Sequence, residues 1–252
     1  MTTPYTMTRV GDAYLVSTAH VNWVLVEDGH DLTLIDGGYP ANVADVERSV
    51  REIGHQMSDV RGALLTHAHV DHLGALARLA PTYDIDVWTG PVEVPHAHRD
   101  YLQQLGPARI PLLLWRHGAL AWLSDIMRLD GTDREGIPQA RAYPQTGLDL
   151  PGAPVPVPTP GHTDGHTAFH LPGSGVLVSG DALITGHAVS SLHGPQLIPR
   201  GFSHDRRATV DSLEEIAEVD AGTLFPGHGP AWSGSMREAA ERARATASIA
   251  RP

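Results

Sequence analysis

The residues with the strongest chemical signature lie together in Thr66-His67-Ala68-His69-Val70-Asp71-His72-Leu73-Gly74. Three imidazoles and a carboxylate follow directly on the apolar run 62–65. In extended backbone, side chains two apart point the same way. His67 and His69 can therefore share one metal ion. Asp71 and His72 come where the chain turns and can face a second. Three more fragments each set one possible ligand beside small residues after an apolar run: Thr159-Pro160-Gly161-His162, Ser179-Gly180-Asp181 and Pro226-Gly227-His228-Gly229. Singly they are weak signals: His162 also reads as a satisfied core histidine, and Asp181 as a turn residue. Together they indicate a site assembled from strand ends, where layered α/β folds place functional groups.

Composition points the same way. The 252-residue chain holds 16 His, no Cys and 18 basic residues, all of them Arg. Without Cys there is no disulfide framework, thiolate zinc finger, thiolate-held iron–sulfur cluster or thiol nucleophile. Without Lys there is no Schiff-base chemistry and no P-loop lysine. Against 29 acidic residues the net charge is −11, which argues against a nucleic-acid partner. No apolar run reaches the roughly 18 residues of a membrane span, and residues 1–12 show no signal-peptide pattern. A cytoplasmic protein with no membrane partner is expected, its oligomeric state unspecified. Length and a 41% hydrophobic share suit a single globular domain over residues 1–252.

The elements that must position these residues are legible in outline. Residues 13–18, 22–27 and 32–36 read as strands, with Asp28-Gly29 as a hairpin turn. Residues 42–53 carry Val43, Val46, Val50 and Ile53 at helical spacing. Residues 62–66 read as a buried strand and 73–79 as a helix. Strand signals return at 155–159, 167–171, 175–179 and 223–225. The prolines at 151, 154, 156, 158 and 160 suit an edge strand or loop. Helices are expected at 205–219 and 236–249. Between the two halves, about 95–140, lies a helical insertion whose apolar stretch 110–129 contains Trp115 and Trp122. A packed helical pair and a cap over the site share this amphipathic pattern.

The order HxHxDH at 67–72, TPGH ending at His162, SGD ending at Asp181 and PGHG holding His228 resembles the metallo-β-lactamase fold superfamily. The strand around Asn22 and the turn Leu34-Ile35-Asp36-Gly37-Gly38 resemble its N-terminal half, so the likeness runs from about residue 12 to 233. The resemblance implies an α/β fold, a four-layer αββα sandwich with the site at one edge. It also implies a first metal on His67, His69 and His162, a second on Asp71, His72 and His228, and Asp181 bridging both. Two divalent ions, zinc by the nitrogen-rich donor set, with iron or manganese as alternatives, are the expected cofactors. Asp71, Asp181 and a bridging hydroxide would leave about one positive charge, enough to lower the pKa of bound water towards roughly 7 and polarise a carbonyl. Asp71 would also orient the hydroxide, so Asp71 and Asp181 are the expected catalytic residues.

Within that superfamily some activities fit poorly. Flavodiiron proteins place Glu where His69 stands. Nucleases of the fold carry accessory domains and a basic surface. β-Lactamases that use a Lys have no counterpart, although an Arg such as Arg200 would serve. Lactonases often use a Tyr near the site; Tyr39, after Asp36, is the candidate within reach, and it does not match their motif. The expected function is hydrolysis of a small-molecule ester, lactone or thioester. The alternative is a mononuclear iron oxidoreductase resembling persulfide dioxygenases. Candidates for the proton donor are His166, His187, His193 and Tyr39, the two middle histidines lying in the loop 186–201. Asp36 and Asn22 read as residues fixing backbone near the site. His96, His98 and His117 read as surface or packing residues. His20, His30, His55, His170 and His204 have no motif around them.

Overall fold

A computed structural model describes residues 4–105 and 118–249. The chain opens with β1 (Thr6–Val10), β2 (Ala13–Ser17), β3 (Asn22–Asp28) and β4 (Asp31–Ile35), an antiparallel meander. It continues through α1 (Val43–Glu52), β5 (Val60–Leu64), α2 (Val70–Tyr83), β6 (Val87–Thr89), α3 (Val94–Ala97), α4 (Ala119–Arg128) and β7 (Arg141–Ala142). These seven strands form one sheet in sequence order, with β4 to β7 parallel. The second half holds β8 (Val155–Pro158), β9 (Thr167–Leu171), β10 (Val176–Gly180), α5 (Arg206–Asp211), α6 (Leu213–Ala217), β11 (Thr223–Pro226), β12 (Trp232–Ser233) and α7 (Met236–Ile249). Its five-stranded sheet runs β12-β11-β10-β9-β8, with β10 and β11 parallel.

Three apolar layers make this an αββα sandwich. Trp23, Leu25, Leu34, Ala63 and Leu65 face Val46 and Val50 of α1 and Leu73, Leu76 and Leu79 of α2. The alternate residues of the same strands, Val24, Val26, Ile35 and Leu64, meet Phe169, Leu171, Val176, Val178 and Phe225 between the sheets. Leu177 and Leu224 then face Leu213, Ile216, Ala239, Ala240 and Ala243 of α6 and α7. Because both faces of the central strands are buried, they read as unbroken apolar runs rather than alternating ones.

Most expected elements stand within a residue or two of their places. β8 is an edge strand, as Pro156 and Pro158 require, since proline donates nothing to a ladder. Two differences matter. α2 starts at Val70, ahead of the apolar periodicity, because its first turn carries Asp71 and His72. The helix expected over 205–219 is split at Ser212, whose hydroxyl donates to the Pro160 carbonyl at 2.6 Å. The expected apolar stretch 110–129 is described only from residue 118, as α4; Trp115 and His117 lie outside the described residues.

Candidate metal centre

The candidate ligands come from the C-terminal ends of the parallel strands. His67 and His69 follow β5, Asp181 follows β10 and His228 follows β11, while His162 lies on the turn between β8 and β9. Asp71 and His72 project from the first turn of α2. Side-chain hydrogen bonds lock these loops together. The Asp36 carboxylate accepts from Thr66 N–H and Thr66 Oγ1–H, both at 2.8 Å. Asn22 Nδ2 donates to the carbonyls of Pro226 at 2.8 Å and Gly229 at 2.7 Å, holding the turn that carries His228. Both residues thus fix backbone, as their positions suggested. Gly227 has no room for a side chain: a Cβ there would overlap Asp181 Oδ1 and crowd His72 Cε1.

The ring hydrogens can be placed from the acceptors around them. His72 Nδ1–H donates to Asp36 Oδ2 at 2.8 Å, His69 Nε2–H to the Gln103 carbonyl at 2.6 Å, and His228 Nδ1–H to the His20 carbonyl at 2.5 Å. Thr66 Oγ1 spends its own hydrogen on Asp36, so it accepts from His67 Nδ1–H at 3.1 Å. Each of these four rings therefore turns its other nitrogen, a lone pair in the neutral form, toward a common centre. There His162 Nε2 lies 3.1 Å from His67 Nε2 and 2.9 Å from His69 Nδ1. Asp181 stands between the two groups: Oδ2 is 3.4 Å from His162 Nε2 and 3.1 Å from His228 Nε2, and Oδ1 is 3.4 Å from His72 Nε2. Asp71 Oδ2 is 3.5 Å from His228 Nε2.

Electrostatics sharpen the picture. Burial, reinforced by neighbouring imidazoles, holds His67 and His162 well below the usual histidine range, and burial also lowers His69. These rings stay neutral and keep their lone pairs. Burial presses on His72 and His228 too, but the Asp181 carboxylate outweighs it, with Asp36 on His72 and Asp71 on His228, and both are raised. Burial would raise Asp181, yet the charges of His228 and His72 bring it well below the carboxylate range. A buried carboxylate among converging imidazole nitrogens suits divalent cations: three groups, His67/His69/His162, His67/His72/Asp181 and Asp71/His72/His228, each bring their donor atoms within 4.8 Å of one another. Three atoms of the candidate ligands, His72 Nε2, His162 Nδ1 and Asp181 Oδ1, are buried with no hydrogen-bond partner among the described residues.

The centre opens into a cavity of about 200 Å³. Its floor is His69, Asp71, His162, Asp181 and His228, and α4 supplies Trp122, Leu123, Ile126 and Met127 to its wall. Of the proposed proton donors, Tyr39 and His187 line it. Tyr39 Oη lies 3.5 Å from Asp71 Oδ2, and burial with the Asp71 and Asp181 charges keeps the phenol protonated. His187 packs its ring 5.2 Å from that of His228 and 5.0 Å from Phe202. His193 is exposed and outside the wall, and so is Arg200; among the described residues Arg134 is the arginine that lines it. His166 is bonded at both nitrogens, with Thr159 Oγ1 at 2.8 Å and with Asp181 N–H, which it accepts at 3.0 Å. It holds the Asp181 backbone rather than facing the cavity.

Two positions were missed in the sequence. His20, read as motif-free, supplies the carbonyl for His228 and sets its Nε2 3.2 Å from Asp125 of α4. Glu93 is fully buried beside the His67–His69 loop. Its one sequence signal is a lone carboxylate in the otherwise apolar run Pro91-Val92-Glu93-Val94-Pro95.

Known proteins resemble this chain in sequence and fold. The model of the metallo-beta-lactamase superfamily matches residues 17–228. The probable metallo-hydrolase YflN of Bacillus subtilis (strain 168) is 28% identical over 227 residues, 85% of this chain and 81% of that protein. A hydroxyacylglutathione hydrolase of Fuscovulum blasticum is 34% identical over 89 residues, 35% of this chain and 32% of its own length. Among solved structures, a metallo-beta-lactamase family protein from Thermus thermophilus superposes with a TM-score of 0.62 at 26% identity, covering 94% of this chain and 80% of that one. Fold, strand-end ligand set and family model agree: the chain belongs to the metallo-beta-lactamase superfamily.

Proposed function

We propose that this protein is a dinuclear metal-dependent hydrolase that cleaves an ester, lactone or thioester carbonyl. We take residues 1–252 as one catalytic domain, with α4 as the cap of its site. The observation that carries the reading is the set of four imidazoles that spend one N–H outward and aim the other nitrogen inward. His67, His69 and His162 are assigned to one ion, Asp71, His72 and His228 to the other, and Asp181 to both. Zinc suits this nitrogen-rich set, and iron and manganese are the alternatives. When bound, two such ions supply Lewis acidity and a hydroxide nucleophile near neutral pH.

The protein's own residues do the rest. Asp71 orients the attacking water from the cavity floor, with the Tyr39 hydroxyl next to it. Asp181 sits between the two groups of ligands, its backbone fixed by His166. The α4 side chains give the apolar part of an acyl substrate a dry wall to rest on. The similarity to a hydroxyacylglutathione hydrolase supports the thioester branch. The second cluster, Asp71, His72 and His228, offers a second ion a place without excluding a single-iron, persulfide-dioxygenase-like enzyme, and metal identity discriminates the two.

Elemental analysis of protein purified without added metal tests this first, followed by a panel of esters, lactones and thioesters. Two ions per chain and cleavage of at least one acyl class are expected. One iron per chain with oxygen uptake on persulfides would replace the hydrolase reading. So would failure of the fully loaded protein on every acyl substrate.

A further inference from the structure

Glu93, at the N-terminus of α3, carries four hydrogen bonds, two on each oxygen. Oε1 accepts from Ala68 N–H and from His96 Nδ1–H, both at 2.7 Å. Oε2 accepts from Thr163 Oγ1–H at 2.8 Å and from Gly165 N–H at 3.1 Å. Ala68 stands between His67 and His69, and Thr163 follows His162. His96 extends the connection: its Nε2 accepts Gln103 N–H at 3.2 Å, and the Gln103 carbonyl takes the N–H of His69. On the other side of the Ala68 residue, Arg99 Nη1 donates to its carbonyl at 2.6 Å.

We propose that Glu93 is the positioning residue of the His67/His69/His162 metal site, a single carboxylate that sets the distance between two ligand loops arising from different sheets. The proposal rests on reading those three histidines as ligands. It needs a carboxylate and not merely a polar side chain. An ionised carboxylate is acceptor-only and offers about four lone-pair sites, and four donors converge here. A glutamine amide would turn an NH2 toward two of those donors. A buried charge persists only when it is fully hydrogen-bonded or paired, and these bonds meet that condition. Burial pushes the Glu93 carboxyl up, but His96 and the Ala68 and Thr163 donors bring it below its usual value. Glu93 has no access to substrate, being fully buried and outside the cavity wall. Gly165 permits the close approach, because a Cβ there would run into the Glu93 backbone.

The test is a competitive zinc titration, with cobalt(II) absorption spectra, on wild type and Glu93→Gln. We expect one metal equivalent to bind as in wild type and the other about 10–100-fold more weakly, the range for losing a group that orients a ligand. The cobalt bands of that equivalent should change. Thr163→Val keeps the shape and removes one of the four donors; it should weaken the same equivalent by a smaller factor, and it decides the matter if Glu93→Gln does not fold. Unchanged affinities and spectra would overturn the proposal and leave the metal reading intact. Equal weakening of both equivalents would overturn it too, as a general loosening. A wild type that takes up no metal would overturn both.

Discussion

The Asp36 carboxylate accepts the Nδ1–H of His72 at 2.8 Å while its other oxygen holds the Thr66 N–H, so one side chain sets both a ring orientation and the strand end beside it. Asp36 does this from a left-handed backbone, φ 60°. Asn tolerates that conformation well, which makes Asp36→Asn a clean test. The amide would point an NH2 at a donor it now accepts from. We expect metal affinity to fall about 10–100-fold and ion-free stability to fall by about 1–3 kcal/mol. Chelator competition and urea unfolding measure the two.

Trp122 separates substrate binding from chemistry. Its ring lines the cavity, packs edge-on to Phe202 at 5.7 Å and lies 6.2 Å from the His187 ring. Trp122→Ala should leave metal content unchanged. With a long-chain acyl substrate KM should rise about tenfold or more, in keeping with the loss of about 1.5–3 kcal/mol of apolar contact. The rise should be smaller for an acetyl substrate, and kcat should move little. A loss confined to kcat would place Trp122 in the catalytic step and remove the cap from substrate recognition.

What the sequence showed, and what it hid, follows from distance along the chain. His67, His69, Asp71 and His72 are neighbours in sequence, and His162, Asp181 and His228 each sit beside small residues after an apolar run, so local pattern finds them. Strands such as β3 declare themselves because both faces are buried. Glu93 acts on Ala68 and Gly165 from across the fold, and no local spacing encodes that. His20 contributes a backbone carbonyl, which any residue carries. His187 and His193 read alike in sequence, and only the cavity separates them.

Tyr39 is the residue best placed to act beside Asp71. Its hydroxyl is 3.5 Å from Asp71 Oδ2, a long contact of the kind that tightens when substrate arrives. Burial and the two carboxylates keep the phenol in its protonated, donating form. Tyr39→Phe should lower kcat by about 100-fold, the low end of what a positioned proton-handling group contributes. KM and metal content should stay near wild type. The alkaline limb of the pH profile should not follow a tyrosine in either protein. Unchanged kcat on every substrate would leave His187 as the remaining cavity-lining candidate.

Acid sensitivity provides the last test, through His166. Its Nε2 accepts the Asp181 N–H at 3.0 Å, a bond that protonation abolishes. Burial holds its pKa down to about 4, whereas the same ring in the unfolded chain titrates near 6.5. Between those values the unfolded chain binds the extra proton, so folding stability from this group falls as pH falls. The contribution is complete above about pH 6.5 and lost by about pH 4, an effect of about 3 kcal/mol at full extent. His166→Gln keeps an acceptor for Asp181 N–H and cannot titrate. Urea unfolding of the ion-free proteins at several pH values should show wild type losing stability more steeply than the variant, by up to about one proton's slope across this window. The subtraction matters because His67, His69 and His162 are lowered as well and pull in the same direction, while raised His72 and His228 act only above about pH 6.5, outside this window. Equal slopes in the two proteins would assign the acid sensitivity to that cluster and release His166 from it.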